Sequence, residues 1–105
     1  MPHYDLNDVR NAVKRGNVEY RSRKTRQDID NLGYELSDIE ACLMSLTNED
    51  FYKTYSYEDG GIDDSYRTNF IPSFSTSCES DSIYIKFSLI KNYLIIDLAS
   101  FHLNS

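Results

Sequence analysis

The chain is poor in the residues from which many familiar sites are built. It has two cysteines and two histidines in 105 residues. Cys42 and Cys78 form no CxxC pair and no disulfide framework. Cys42 falls in an apolar helical pattern and reads as a small buried residue. His3 and His102 stand near opposite ends of the chain, which argues against a histidine-based metal site. No apolar run approaches the roughly 20 residues needed to cross a bilayer. The opening MPHYDLNDVR lacks the apolar stretch of a secretory signal, so a cytoplasmic location is expected. There is no GxGxxG, no P-loop, no HExxH and no nucleophile elbow. Ser73 to Ser77 reads as a loop rather than a nucleophile cluster. Glu58, Asp59, Asp63 and Asp64 lack EF-hand spacing and read as a solvated turn. Neither a metal nor another cofactor is expected.

Positive charge is scarce as well. The net charge is −6, which argues against a broad polyanion-binding surface. The scarcity is uneven. Seven of the basic residues lie in residues 1–31, and only Lys53, Arg67, Lys86 and Lys91 follow, against twelve acids in residues 32–105. A small positive site is still available if those few cations converge.

What is present is enough for one folded domain over residues 1–105: hydrophobic residues make up 40% and charged residues 27%. The first half reads as helical. Asp5 caps a stripe of Leu6, Val9, Ala12 and Val13, which Gly16 ends. Asn17 to Tyr20 is either a small strand or an extended linker. Thr25 followed by Asp28 predicts a second helix closing at Asn31-Leu32-Gly33. Ser37 to Glu40 reads as a capping box, with Leu36 stapling to Ala41, and Ile39, Leu43 and Leu46 point to a core. The second half reads as sheet. Strands are expected over Phe51–Tyr57 and Ser65–Ile71, separated by the turn Glu58-Asp59-Gly60-Gly61 and stopped by Pro72. After a polar loop from Ser73 to Ser82, Ile83, Ile85, Phe87 and Leu89 alternate with Tyr84, Lys86 and Ser88. Lys91-Asn92 turns the chain into Tyr93–Phe101, the most apolar segment and the expected central strand. The fold class is α+β, with N-terminal helices packed on an antiparallel sheet.

This pattern is compatible with metal-free cleavage of RNA. In that reaction a base takes the 2′-hydroxyl proton, cations stabilise the phosphate, and an acid protonates the leaving 5′-oxygen. Tyr84 and Lys86 share one strand face, Lys53 and Arg67 lie on separate strands, and His102 follows the last strand. Each also has an ordinary role, as a solvated strand lysine, a packing aromatic or an exposed terminal imidazole. Composition alone does not choose between the two.

Four stretches resemble the motility quorum-sensing regulator (MqsR) toxin family, of the RelE-like ribonuclease superfamily, in order and spacing. They are LNDVRNAVKRGNV from Leu6, LTNEDFYK from Leu46, Ser65-Tyr66-Arg67, and Ile83-Tyr84-Ile85-Lys86 with Ser100-Phe101-His102 closing the chain. The resemblance implies a RelE-like fold with a twisted antiparallel sheet. It also implies a type II toxin that cleaves mRNA sequence-selectively, at GCU sites in the family's best-known case, and so inhibits translation and growth. It further implies an MqsA-like antitoxin with zinc and a helix-turn-helix domain, the zinc belonging to that partner. Carried over by position, it implies a catalytic set of Lys53 for phosphate stabilisation, Tyr84 for acid/base work or positioning, and His102 for protonating the leaving oxygen. An imidazole titrates near neutrality and suits that last step. Arg67 and Lys86 would clamp phosphate.

Two positions depart from the family pattern. Asp63 or a neighbour stands where the family has a glutamine, with Asp63 a candidate base or positioning residue, and the last strand is longer by about three residues. The acidic balance is a third departure. It keeps open a non-catalytic acidic binding or inhibitor module on the same fold.

Overall fold

The computed structural model describes residues 1–104. Three helices, α1 (Leu6–Lys14), α2 (Arg23–Leu32) and α3 (Leu36–Ser45), cover one face of a five-stranded sheet. The strands are β1 (Val18–Tyr20), β2 (Phe51–Ser56), β3 (Ile62–Phe70), β4 (Asp81–Ile90) and β5 (Ile95–Leu103). Their order across the sheet is β1-β5-β4-β3-β2. The fold class is α+β.

The helices form where their apolar spacing allows one face to be buried. In α1 the buried residues are Leu6, Val9, Ala12 and Val13, and the Asp5 side chain accepts a hydrogen bond from the Asn7 N–H at the N-terminus. In α2 the cap is Ser22, not Thr25: the Ser22 hydroxyl accepts from the Thr25 N–H. Thr25 is buried in the first turn, where its hydroxyl donates to the Ala99 carbonyl of β5. Gly33 closes this helix at φ 76°, in the left-handed region where glycine carries no steric penalty. The cap of α3 also sits earlier than the capping-box reading places it. Glu35 is the N-cap, and the Asp38 carboxylate accepts from its N–H. Asp38 is buried and also accepts from the Ser73 N–H. Burial alone would raise its pKa, but these backbone hydrogen bonds hold it below the usual carboxylate range.

Strand alternation builds the core. Ile83, Ile85, Phe87 and Leu89 of β4 turn toward the helices with Tyr66 of β3 and with Ile96, Leu98 and Phe101 of β5. Tyr66 and Phe87 stack with ring centroids 5.7 Å apart and planes 4° from parallel. Burying each such large side chain contributes about 1.5–3 kcal/mol. Among the described residues, Tyr66 Oη is the one buried side-chain polar atom without a hydrogen-bond partner. Asp64 also faces the helices, and its carboxylate accepts from the His3 and Tyr4 backbone N–H groups and from the Thr54 hydroxyl. This ties the N-terminal segment to the sheet.

Further features differ from the sequence reading. Asp63 and Asp64, read as part of a solvated turn, are buried within β3. The sheet is mixed, because β1 pairs parallel to β5 through Val18↔Ile96, Glu19↔Asp97 and Tyr20↔Leu98. A three-residue strand is too short for its pattern to reveal a partner. β5 lies inside the sheet between β1 and β4, but the middle strand is β4. β5 also runs to Leu103, so His102 belongs to the strand instead of following it. The tight turn before β5 includes Lys91, Asn92 and Tyr93, all at positive φ. Cys42 is buried and Cys78 exposed, and both are free thiols. Burial pushes the Cys42 thiol up to about 12, which leaves it unreactive.

Candidate functional site

The face of the sheet opposite the helices carries no such cover, and the polar alternates collect there. Register aligns them. Lys53 of β2 lies opposite Ser65 of β3, Ser65 opposite Lys86 of β4, and Lys86 opposite Ser100 of β5. Beside this row, Arg67 of β3 lies opposite Tyr84 of β4, and Tyr84 opposite His102 of β5. Directly opposed residues on one face have Cβ atoms about 4.5–5.5 Å apart. Five of the six residues singled out from the sequence therefore form a patch two rows deep. Asp63 lies one alternate residue further along β3, on the same face.

Two irregularities adjust the patch. β2 pairs Phe51 with Tyr66 and then Lys53 with Ser65, so Tyr52 is an extra residue. The bulge keeps Phe51 in the core against Tyr66, ring centroids 5.7 Å apart, while Lys53 stays on the open face. The Ser65 hydroxyl donates to the Lys53 carbonyl at 2.7 Å and pins the distorted backbone. In β5 the register shifts after Lys86↔Ser100 to Phe87↔Leu98, leaving Ala99 as the extra residue. The Thr25 hydroxyl holds the Ala99 carbonyl.

The side chains converge on a tyrosine absent from the sequence reading. Tyr55 is half-buried on β2, two residues beyond Lys53. Lys53 Nζ lies 5.0 Å from its ring centroid and Lys86 Nζ 5.2 Å. The Tyr55 and Tyr84 hydroxyls are 3.4 Å apart. The ring of Tyr84 stacks on His102 at 5.3 Å, with planes 28° apart. Arg67 departs from the group: its guanidinium lies 3.6 Å above the ring of Tyr52. The alternation starting at Lys53 would have pointed to Tyr55, because residues i and i+2 share a face.

The cations of this patch rest on aromatic faces. Among the described residues the ion pairs are Arg21–Asp63, Arg21–Asp97 and Lys24–Asp28, so Lys53, Arg67 and Lys86 have no carboxylate partner. Cation–π contacts orient a charge without cancelling it. The two phenols differ in acidity. The hydrogen bond from Tyr84 lowers the pKa of Tyr55 against the opposing effect of burial, and the charges of Lys53 and Lys86 lower it further. Burial and the same hydrogen bond push Tyr84 up to about 12.

Asp63 has a different setting. It is buried, and Arg21 donates to both of its carboxylate oxygens at 2.8 and 2.9 Å while the Tyr57 hydroxyl donates to one of them. Arg21 also reaches Asp97 and the Ser88 hydroxyl. Burial would raise the Asp63 pKa, but the hydrogen bonds from Arg21 and Tyr57 bring it below the usual carboxylate range. Arg21 lies just beyond β1 and meets an acid 42 residues away in sequence. No local pattern announces that pairing. A cleft of about 660 Å³ opens at this end of the sheet, lined by Arg21, Asp63, Asp97, Tyr4, Tyr57 and Tyr93 among others. Its lining includes none of Lys53, Arg67, Tyr84, Lys86 or His102, and its acids do not favour an anion.

Among the described residues, no group of three or more His, Cys, Asp or Glu side chains is arranged to hold a metal ion. Among the described residues, no helix is long and apolar enough to cross a membrane. No curated protein matches the sequence. A family model described as "Motility quorum-sensing regulator, toxin of MqsA" matches residues 1–102. With nearly the whole length matched, the chain belongs to the MqsR toxin family.

Proposed function

We propose that residues 1–105 act as a single toxin domain, a cytoplasmic, metal-independent endoribonuclease that cuts mRNA sequence-selectively and so stops translation and growth. The observation that carries this reading is the open-face patch. In a protein of net charge −6, Lys53, Lys86 and Arg67 stand on one sheet face without carboxylate partners among the described residues, beside two phenols and an imidazole. Unpaired ammonium groups held by aromatic rings suit one phosphodiester group better than a long polyanion.

In this mechanism the 2′-oxygen attacks phosphorus and the bond from phosphorus to the 5′-oxygen breaks. The products are a 2′,3′-cyclic phosphate and a 5′-hydroxyl. The 2′-hydroxyl proton passes to a base, and the 5′-oxygen receives one from an acid. Lys53 and Lys86 stabilise the charge that builds on the non-bridging oxygens. Arg67, held over the ring of Tyr52, binds a neighbouring phosphate. His102 is the proton donor to the leaving oxygen. Tyr84, pushed up to about 12, keeps its proton near neutrality and acts in positioning, its hydroxyl donating to that of Tyr55. Of the two roles open to Asp63, positioning fits: both oxygens already accept hydrogen bonds, and its low pKa makes it a weak base. The partner is an MqsA-like antitoxin with zinc and a helix-turn-helix domain, the zinc lying in the antitoxin.

The charge of −6 favours one second reading, a non-catalytic acidic inhibitor on the same fold that binds a basic protein. Sequencing the 5′ ends of cellular RNA after brief induction separates the two. The ribonuclease reading predicts new ends at one short recurring motif and growth arrest, both lost in Lys53→Ala. Intact transcripts beside folded, abundant protein would favour the inhibitor.

A further inference from the structure

We propose that Tyr55, rather than Tyr84, is the general base that takes the 2′-hydroxyl proton, with Tyr84 positioning it. This deepens the ribonuclease reading and rests on it. The geometry is specific. Tyr55 lies where the two open-face lysines meet, with Lys53 Nζ and Lys86 Nζ at 5.0 and 5.2 Å from its ring. Its hydroxyl is 3.4 Å from that of Tyr84, whose ring is stacked on His102. A phosphate bridging Lys53 and Lys86 would therefore lie against the Tyr55 side chain, with His102 beyond Tyr84 on β5. Base and acid are then separate groups, as an in-line displacement requires.

The charged and titratable groups around Tyr55 favour loss of its proton. From β2 it is faced by Lys53 and Tyr57, from β3 by Asp63 and Ser65, and from β4 by Tyr84 and Lys86. Asp63, the acid among them, is paired with Arg21, which it shares with Asp97 of β5. Two ammonium groups and one donated hydrogen bond remain, and each stabilises a phenolate. Accordingly the Tyr55 phenol is lowered while that of Tyr84 is raised. In the step, the Tyr55 phenolate accepts the 2′-proton as the oxygen–phosphorus bond forms. His102 supplies a proton to the 5′-oxygen as its bond to phosphorus breaks. The phenol and the imidazole return their protonation states through solvent.

The test combines tyrosinate absorbance during a pH titration with the pH dependence of kcat/KM on a short RNA. Both use the full chain as wild type, Tyr55→Phe and Tyr84→Phe, with folding checked by circular dichroism. The expected result is one tyrosine ionising ahead of the others in wild type, and a cleavage rate that rises with the same midpoint. Tyr55→Phe removes both the early ionisation and the rising limb, and slows cleavage about a hundredfold or more. Tyr84→Phe moves both to higher pH, because the hydrogen bond to the phenolate is lost. If wild type cleaves RNA and Tyr55→Phe keeps the same rising limb, Tyr55 is not the base and the ribonuclease reading stands. If wild type cleaves no RNA at any pH, both fall.

Discussion

The two faces of the sheet obey different rules. Toward the helices, β3, β4 and β5 present Tyr66, Ile83, Ile85, Phe87, Leu98 and Phe101, all inaccessible to solvent and packed by shape. Away from the helices, the same strands present Arg67, Tyr84, Lys86 and His102, at most half-buried and held by hydrogen bonds and aromatic contacts. The covered face holds the fold together. The open face gathers scarce charge at little cost in stability, because its cations remain partly in water and rest on rings. Damage to one face should therefore affect stability and damage to the other should affect activity.

The largest effect is expected on the covered face. Phe87→Ala removes the ring stacked on Tyr66 and should cost about 3–5 kcal/mol, measured by denaturant unfolding, while the RNA-cutting rate of the remaining folded molecules stays near that of wild type. On the open face, Lys53→Ala should reverse the outcome. Stability should change by less than about 0.5 kcal/mol, and cleavage should fall about a hundredfold to a thousandfold, equivalent to about 2.7–4 kcal/mol in the transition state. Arg21→Ala tests the boundary between the two faces. It leaves the buried Asp63 carboxylate without its cation, a loss of about 3–5 kcal/mol for a fully buried pair. The Arg21 side chain is 37% exposed, so solvent screening reduces the expected loss to about 1–3 kcal/mol. Adding Asp63→Asn should recover part of it.

The smallest effect is a pH dependence. Asp38 and Asp63 are both held below the ordinary carboxylate value in the folded state. Their contribution to stability is therefore complete above about pH 4, the unfolded value, and is lost as pH falls through the lower folded values. The unfolding midpoint should fall as acid is added below about pH 4. In Asp38→Asn that slope should be shallower, whereas Lys53→Ala should leave it unchanged.

The two faces also differ in how far sequence reveals them. The apolar stripe of α1 and the alternation of β4 are periodic, and periodicity is a local property, so both helix and strand were legible with their buried sides. Gly33 was legible as a helix end for the same reason. The caps at Ser22 and Glu35 were not, because Thr25-Asp28 and Ser37-Glu40 offer equally good local chemistry one turn away. The parallel pairing of β1 and the bulges at Tyr52 and Ala99 depend on distant partners. On the open face, Lys53, Arg67, Tyr84 and Lys86 could be placed on strands from alternation, and the family likeness selected them. Tyr55 escaped because a strand tyrosine ordinarily reads as packing, and its meaning comes from Lys86 and Tyr84 on β4. The Arg21–Asp63 pair escaped because 42 residues separate its members.

The central claim is that the open face cuts RNA without a metal. It is tested most directly by incubating purified protein with a structured mRNA fragment in the presence of a chelator and identifying the new ends. The account predicts discrete cuts bearing a 2′,3′-cyclic phosphate and a 5′-hydroxyl, absent with Lys53→Ala. An uncut fragment with folded wild-type protein, or cutting that Lys53→Ala leaves intact, would contradict it.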